Sequence, residues 1–337
     1  MPTVNEKIQK RIESAIRAVL PRSTPMHCHP AGAATIEVEI VGKSIRAAWA
    51  GEGWLSQIRG VLKDLRARPD IIVARRMSPG ARVALAAKGV GWIDELGAAE
   101  ISIGTIVVSR SGRRDSVRER STRWTGSVVA VAEAIICTNE AWTVAKVRKV
   151  TGLSTGSCTN ALRILTDLGL LVTATRRGPT SDRTVADKGK LLDAYAEAAI
   201  SLAPSSACSV GVIWPDPVKG LGAVAGKWDK AGIEWVATGA VAAALLAPVL
   251  TNVATTDVYV NASSLAELDA ITSKMGLQVI EGGRLTLKPF PSVTTSRLAK
   301  TIDGIKVAPW PRVYVDLRQI GVRGEEAAEH LREVMLG

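Results

Sequence analysis

Apolar and polar positions follow different periods in successive parts of the chain. From Val4 to Leu20, Ile8, Ile12, Ile16 and Val19/Leu20 recur at i, i+4 spacing between Lys and Arg, which predicts an amphipathic helix ended by Pro21. Arg22 to Gly32 reads as a loop. Thr35 to Val41 then alternates, Gly42-Lys43-Ser44 turns, and Ile45 to Trp49 returns, the pattern of a β-hairpin. Leu55 to Leu65 predicts a helix, and Asp70 to Ala74 a short buried strand after Pro69. Ser78 to Lys88 predicts a helix with Ser78 as its cap and Pro79 in its first position. Val90 to Asp94 and Ile101 to Val108 read as further strands. Strands alternating with helices predict a mixed α/β sheet for residues 1–112.

Residues 113–124 break this pattern. The stretch Arg110 to Trp124 holds six Arg and no periodic apolar face, so 113–124 reads as a boundary. It is either a solvated tether or an arm whose Arg113, Arg114, Arg118, Arg120 and Arg123 touch phosphates.

Residues 125–190 follow with three short helical patterns and a hairpin. The first runs from about Ser127 to Thr138, with Val128, Val131, Ala132, Ile135 and Ile136 as its buried stripe and Trp142 packed beneath it. Thr143 caps the second, Val144 to Val150, and Gly152 stands where a left-handed residue ends a helix. The turn Thr151-Gly152-Leu153 brings Leu153 into the core. Ser154 caps the third, Thr155 to Leu168, whose inward residues are Cys158, Ala161/Leu162, Leu165 and Leu168. Its outward N-terminal face is small and polar: Thr155, Gly156, Ser157, Thr159, Asn160 and Arg163. Leu170 to Arg177 and Arg183 to Ala186 are strands joined by Gly178-Pro179-Thr180-Ser181-Asp182, with Arg176, Arg177 and Arg183 expected at the tip.

From 191 to 337 the pattern is again α/β. Helices are predicted at Leu191–Leu202, Ala223–Ala231, Ala240–Leu246, Leu265–Met275 and Gly324–Met335. Strands are predicted at Cys208–Trp214, Asp257–Asn261 and Leu277–Ile280, and Arg312 to Asp316 precedes the last helix.

Composition adds a partner class. The 337 residues are 47% hydrophobic, enough for two or three cores, and the net charge is +11. That charge is +9 over residues 1–125, +4 over 126–190 and −2 over 191–337. The basic excess in the first half and in the three-helix segment suits a polyanion, because neutralised phosphates release counterions. Four widely spaced Cys without a CxxC read as reduced thiols. His27-Cys28-His29 has no second ligand pair at zinc spacing, so no metal is expected there. The N-terminus has no signal-peptide core, and the longest apolar run, Gly239 to Leu250, is broken by Pro248 and short of the ~20 residues of a membrane span. A cytoplasmic, nucleoid-associated protein is expected, with no membrane partner and no cofactor.

The segment from Ala141 to Val172 resembles a winged helix-turn-helix of the bacterial repressor type. In that arrangement the third helix enters the major groove by its N-terminal end. Thr143, Ser154, Thr155, Gly156, Ser157, Thr159, Asn160 and Arg163 would then meet DNA, with Arg176, Arg177, Thr180 and Arg183 on the wing. Asn160 suits adenine; Arg163 suits guanine or a phosphate.

The flanking segments resemble enzymes with incomplete catalytic sets. Residues 1–112 resemble the restriction-endonuclease-like fold, with Pro69-Asp70 and Glu100-Ile101-Ser102 in the places of its acids and lysine. Ser102 cannot supply the cation, and Asp94 competes with Glu100 for the second acid position. A Mg²⁺-dependent nuclease using Asp70 and Glu100 is the alternative enzyme reading.

Pro69 to Arg75 with Gly89 to Ala98 is also similar to the segment ahead of the DNA-binding domain in AbiEi-type regulators. Thr238 to Ala242, Asp257-Val258-Tyr259, Ala308 to Leu317 and Glu325 to Leu331 resemble the C-terminal domain of AbiEi-type antitoxins, itself similar to nucleotidyltransferases. Gly239-Ala240 replaces their Gly-Gly or Gly-Ser turn, and Tyr259 stands where a second metal-binding acid is needed, so no catalysis is expected.

The resemblance implies the antitoxin of a type IV toxin–antitoxin pair. Such a protein represses its own operon at operator repeats in double-stranded DNA, beside a nucleotidyltransferase-like toxin. A protein-interaction module that neutralises a partner enzyme is a further alternative.

Replacing Arg176 and Arg177 together with Ala is expected to weaken binding to every DNA sequence and to flatten its salt dependence. Unchanged affinity in a gel-shift titration of that double variant would count against a basic wing.

Overall fold

The computed structural model describes residues 4–21, 23–64, 68–104, 106–111, 124–138, 140–173, 182–204, 206–248 and 255–337. Among these the chain is a mixed α/β protein with thirteen helices and three sheets. Its contacts form two compact units, residues 1–119 with 318–325, and 120–317 with 326–337.

In the first unit α1 (Val4–Val19) is followed by β1 (Met26–Gly32), β2 (Thr35–Ile40) and β3 (Lys43–Trp49). Next come α2 (Leu55–Asp64), β4 (Ile71–Ala74), α3 (Pro79–Ala87), β5 (Gly91–Asp94), β6 (Ala98–Ile103) and β7 (Ile106–Ser111). The seven strands lie in one sheet in sequence order. β3, β4 and β5 are parallel and the outer neighbours antiparallel.

Every residue of β4 is buried, as a central parallel strand covered on both faces requires. Alternate residues face opposite cores. Ile71 and Val73 join Ile12 and Ile16 of α1, while Ile72 and Ala74 join Ile58 of α2 and Leu85 of α3. The apolar stripe on α1 is therefore the cover of one sheet face.

One carboxylate closes the other side of this unit. Glu325, 2% exposed, accepts the Leu55 N–H on Oε2 at 2.8 Å and the Gly80 N–H on Oε1 at 2.9 Å. Those amides belong to the first turns of α2 and α3, which have no partners within their own helices. The negative charge also stands at the positive ends of both helix dipoles. A Cβ on Gly80 would fall 2.6 Å from Glu325 Oε1, which explains glycine there. Arg318 stacks over Trp54, its guanidinium carbon 3.6 Å from the ring centroid.

The second unit opens with α4 (Gly126–Ile136), α5 (Val144–Thr151), α6 (Thr155–Asp167), the ribbon β8 (Leu171–Thr173) and β9 (Arg183–Val185), and α7 (Lys188–Ser201). It continues through β10 (Cys208–Val210), α8 (Pro217–Lys230), β11 (Trp235–Thr238), α9 (Gly239–Leu246), β12 (Thr256–Val260) and α10 (Leu265–Lys274). β13 (Leu285–Pro289), α11 (Val293–Arg297), β14 (Lys300–Ile302), β15 (Ile305–Val307), α12 (Trp310–Leu317) and α13 (Val322–Leu336) complete the chain. The larger sheet has the order β10-β13-β12-β11-β15-β14. The apolar residues of α4 to α6 and those beyond 190 form one continuous cluster, from Val128 to Leu331.

The structure departs from the sequence expectations in several places: β13, α11, β14 and β15 were not expected, and the expected strand Cys208–Trp214 is only β10, Cys208–Val210. The expected loop at 22–32 contains β1, an edge strand that pairs with β2 through its main chain and buries only Met26 fully. The expected strand 101–108 is two strands, β6 and β7, reversed at Gly104 with φ 59°. Leu277–Ile280 is no strand; Val279 makes a single bridge to Val210. Arg312–Asp316, placed by the sequence only as preceding the last helix, lies in a helix of its own, α12, where every residue is buried.

Glu325→Ala is expected to lower the stability of the first unit by about 3 kcal/mol, since two buried N–H groups lose their acceptor. Amide hydrogen exchange across α2 and α3 should accelerate accordingly. Exchange rates there within error of the parent chain would show that the carboxylate carries no stability.

Candidate nucleic-acid interface

α4 supports the segment that presents the candidate site. Thr125 caps it, its Oγ1 accepting the Val128 N–H at 3.4 Å, and all residues from Val128 to Ile136 are buried. A helix apolar all round belongs inside a core. Its one charged residue in that run, Glu133, is 1% exposed. Tyr195 of α7 donates its hydroxyl to Glu133 Oε2 at 2.6 Å, and Thr295 of α11 donates to Oε1 at 2.9 Å. Burial pushes the Glu133 carboxyl above the usual carboxylate range, opposed by those hydroxyls and the Arg312 charge.

α5 and α6 are set by local chemistry. Thr143 Oγ1 accepts the Lys146 N–H at 3.2 Å and Ser154 Oγ accepts the Ser157 N–H at 3.1 Å, so both residues act as caps. Between the helices Gly152 adopts φ 72°, and its N–H returns to Arg148 O at 2.9 Å. Thr151 Oγ1 donates to Val147 O at 2.8 Å and accepts the Leu153 N–H at 3.3 Å, which fixes the turn. Cys158, Ala161, Leu162, Ile164 and Leu165 seat α6 on the core.

Among the described residues no element covers the opposite face of α6. Thr155, Gly156, Thr159, Asn160 and Arg163 are exposed, Ser154 is exposed beside them, and Ser157 and Thr143 are half-buried. Arg163 bridges two neighbours, donating to Asp167 Oδ2 at 2.9 Å and to Asn160 Oδ1 at 2.8 Å. Exposed i, i+4 pairs of this kind are worth about 0.3–0.5 kcal/mol, so both side chains are released at little cost. A Cβ added at Gly156 would meet nothing within 4 Å, so the fold itself does not require glycine there.

The ribbon stands beside α6. Thr173 is opposite Arg183, and on its other edge Arg183 exchanges two main-chain hydrogen bonds with Trp142, at 2.8 and 3.0 Å. Trp142 is buried and lies under the Lys146 ammonium, 5.0 Å from the ring centroid. Arg183 is thus half-buried at the stem of the ribbon rather than at its tip, because its main chain pairs on both sides. Arg176, Arg177 and Thr180 lie outside the described residues, as do Arg113, Arg114, Arg118, Arg120 and Arg123.

Two cations absent from the sequence expectation adjoin this face. Arg148 and Lys149 are exposed in the last turn of α5. Their signal was present in the sequence: they fall where the helical period of Val144, Val147 and Val150 turns outward.

The carboxylates considered for catalysis are differently placed. Asp70 Oδ2 accepts the Arg46 main-chain N–H at 2.8 Å, and Glu100 is exposed on β6 opposite Trp92. Asp94 is buried and shapes a turn, its Oδ1 accepting the Leu96 and Ala98 N–H groups at 3.1 and 2.9 Å. Burial raises its carboxyl above the usual range. In the second unit Asp257 pairs with Lys288 at 3.2 Å, while Tyr259 donates to Asp316 Oδ2 at 2.6 Å. Thr238 also donates to Asp316 Oδ2, and Arg312 pairs with the same carboxylate. Burial opposes ionisation of Asp316, but the Arg312 charge and these hydrogen bonds outweigh it and hold the carboxyl below its ordinary value. Among the described residues no group of three or more His, Cys, Asp or Glu could hold a metal ion, and no helix is long and apolar enough to cross a membrane.

Compared with models of protein families, with curated proteins and with solved structures, the chain gives no match.

Gly156→Ala separates packing from contact. The fold has room for the methyl group, so the variant is expected to stabilise α6 by about 0.5–1 kcal/mol. If α6 lies close against a duplex, the same variant should bind DNA more weakly. A Gly156→Ala protein with both higher melting temperature and undiminished DNA affinity would remove α6 from the interface.

Proposed function

We propose that this protein is a sequence-specific DNA-binding transcriptional regulator that uses α4, α5, α6 and the β8–β9 ribbon as a winged helix-turn-helix. The observation that carries this reading is the uncovered N-terminal face of α6. It is composed of small polar groups with Asn160 and Arg163, and follows a turn fixed by a left-handed Gly152. Small residues at the start of a helix let its main chain approach base edges, and the Asn and Arg side chains carry the donor and acceptor sets that read them. The +4 charge of residues 126–190 supports a polyanionic partner.

The narrower role follows from the resemblance to AbiEi-type antitoxins. On that reading the protein represses its own operon at operator repeats, and a nucleotidyltransferase-like toxin is its protein partner. The Asp257–Lys288 pair fits a nucleotidyltransferase-like domain without activity, since an internal ammonium neutralises the one carboxylate of the Asp257-Val258-Tyr259 stretch.

The test is a salt-dependent gel shift on the DNA immediately upstream of the protein's own coding region, with a scrambled duplex of the same length. The parent protein should prefer the upstream DNA. Asn160→Ala should reduce the ratio of the two affinities by about 5- to 150-fold, the equivalent of one lost bidentate base contact. Equal binding of both duplexes by the parent protein at ~0.15 M salt would reject sequence-specific regulation.

A further inference from the structure

We propose that Arg297, on α11, is a phosphodiester contact of the same DNA interface and clamps the duplex backbone where it passes the turn between α5 and α6. The proposal rests on the DNA-binding reading of α6 given above.

The placement of Arg297 begins with a contact. A Cβ built on Gly152 would lie 2.1 Å from Arg297 Nη1 and 2.5 Å from its Cζ. The guanidinium therefore rests directly on the helix-connecting turn, over the bare Cα of Gly152. Glycine at 152 is demanded by its φ of 72°.

The contact is anchored from below. α11 has only five residues and cannot hold a fixed position through its own hydrogen bonds. Thr294 and Thr295 are buried, and Thr295 donates its hydroxyl to the buried Glu133 of α4. Two residues later in the same helix, Arg297 is exposed. The buried carboxylate thus fixes α11 against the helices that carry the candidate interface, which brings Arg297 to their turn.

Charge completes the case. The neighbouring Arg163 is tied to Asp167 and Asn160, and Lys146 to Glu140. Among the described residues Arg297, Arg148 and Lys149 form no ion pair. Arg148 and Lys149 are exposed on the last turn of α5, and the Arg148 carbonyl accepts the Gly152 N–H. Three unneutralised cations around one turn give a local positive potential in search of an anion. When the N-terminal end of a recognition helix enters a groove, the preceding helix and turn face the sugar–phosphate strand that borders that groove. Phosphate, rather than a base edge, is the group that reaches Arg297, and a planar guanidinium pairs with it through two N–H groups.

The experiment measures fluorescence anisotropy of the full-length protein on its upstream duplex and on a scrambled duplex between 50 and 200 mM salt. Arg297→Ala should weaken both by the same factor and lower the log–log salt slope by about 0.9, so that its deficit shrinks about 3.5-fold over that range. Arg297→Lys should restore the slope. If Arg297→Ala fails to fold, Arg297→Gln, which keeps the stem over Gly152, carries the same comparison. An unchanged slope and affinity in a variant whose parent binds steeply would overturn the contact while leaving the DNA reading intact. A loss confined to the upstream duplex would likewise overturn it, by making Arg297 a base reader. A parent chain that binds neither duplex would overturn the reading and this proposal together.

Discussion

The Glu133 carboxylate is the constraint on which the second unit depends. An isolated carboxylate in an apolar core is costly, and it is tolerated here because both its oxygens receive hydroxyl hydrogens. Those hydroxyls come from α7 and α11, so satisfying one buried carboxyl group fixes the positions of three helices widely separated in sequence. The requirement is directional as well as energetic. Leu or Met at position 133 would fill the space but would place neither Tyr195 nor Thr295, and α11 would lose its bearing on α4. The continuous apolar cluster supplies the bulk of the attraction in this unit, and the carboxylate supplies the registration.

A second buried ionic cluster does comparable work in the larger sheet. Asp316 gathers Arg312, Thr238 and Tyr259, joining α12 to the ends of β11 and β12. Asp257 and Lys288 form a further pair between β12 and β13. The polar residues that resemble parts of a nucleotidyltransferase are thus occupied with one another. The exposed face of α6 differs in kind, since its polar groups make only local bonds, a cap at Ser154, a main-chain bond from Thr159 and the Arg163 pairs that water screens.

Much of the scaffold was legible in the sequence, for physical reasons that can be named. Ser78, Thr143 and Ser154 cap the helices they were expected to cap, because capping needs only the side chain and the next three residues. Gly152 marked its turn through a backbone preference that is equally local. What escaped detection depends on partners distant in sequence. β1 is stabilised by main-chain pairing to β2 and carries few apolar side chains, and β13, β14 and β15 are three to five residues each. α12 is buried throughout, so its periodicity is erased. Within the candidate site the outward residues of α6 were legible from the helical period. Arg183 was misjudged because its second main-chain partner, Trp142, lies in a different part of the segment. Arg297 carried no signal, since nothing near it in sequence indicates the turn it touches.

The return of residues 318–325 to the first unit has a consequence for biosynthesis. Compact units ordinarily fold in the order in which they leave the ribosome. Here the amides of Leu55 and Gly80 have no acceptor until residue 325 has been made, with nearly all of the second unit translated before it. Throughout that interval the nascent chain displays an unfinished surface to chaperones and proteases. A chain terminated anywhere before Glu325 keeps that surface, even if α4, α5 and α6 are already complete. The fold thereby links the survival of the protein to the completion of its own synthesis.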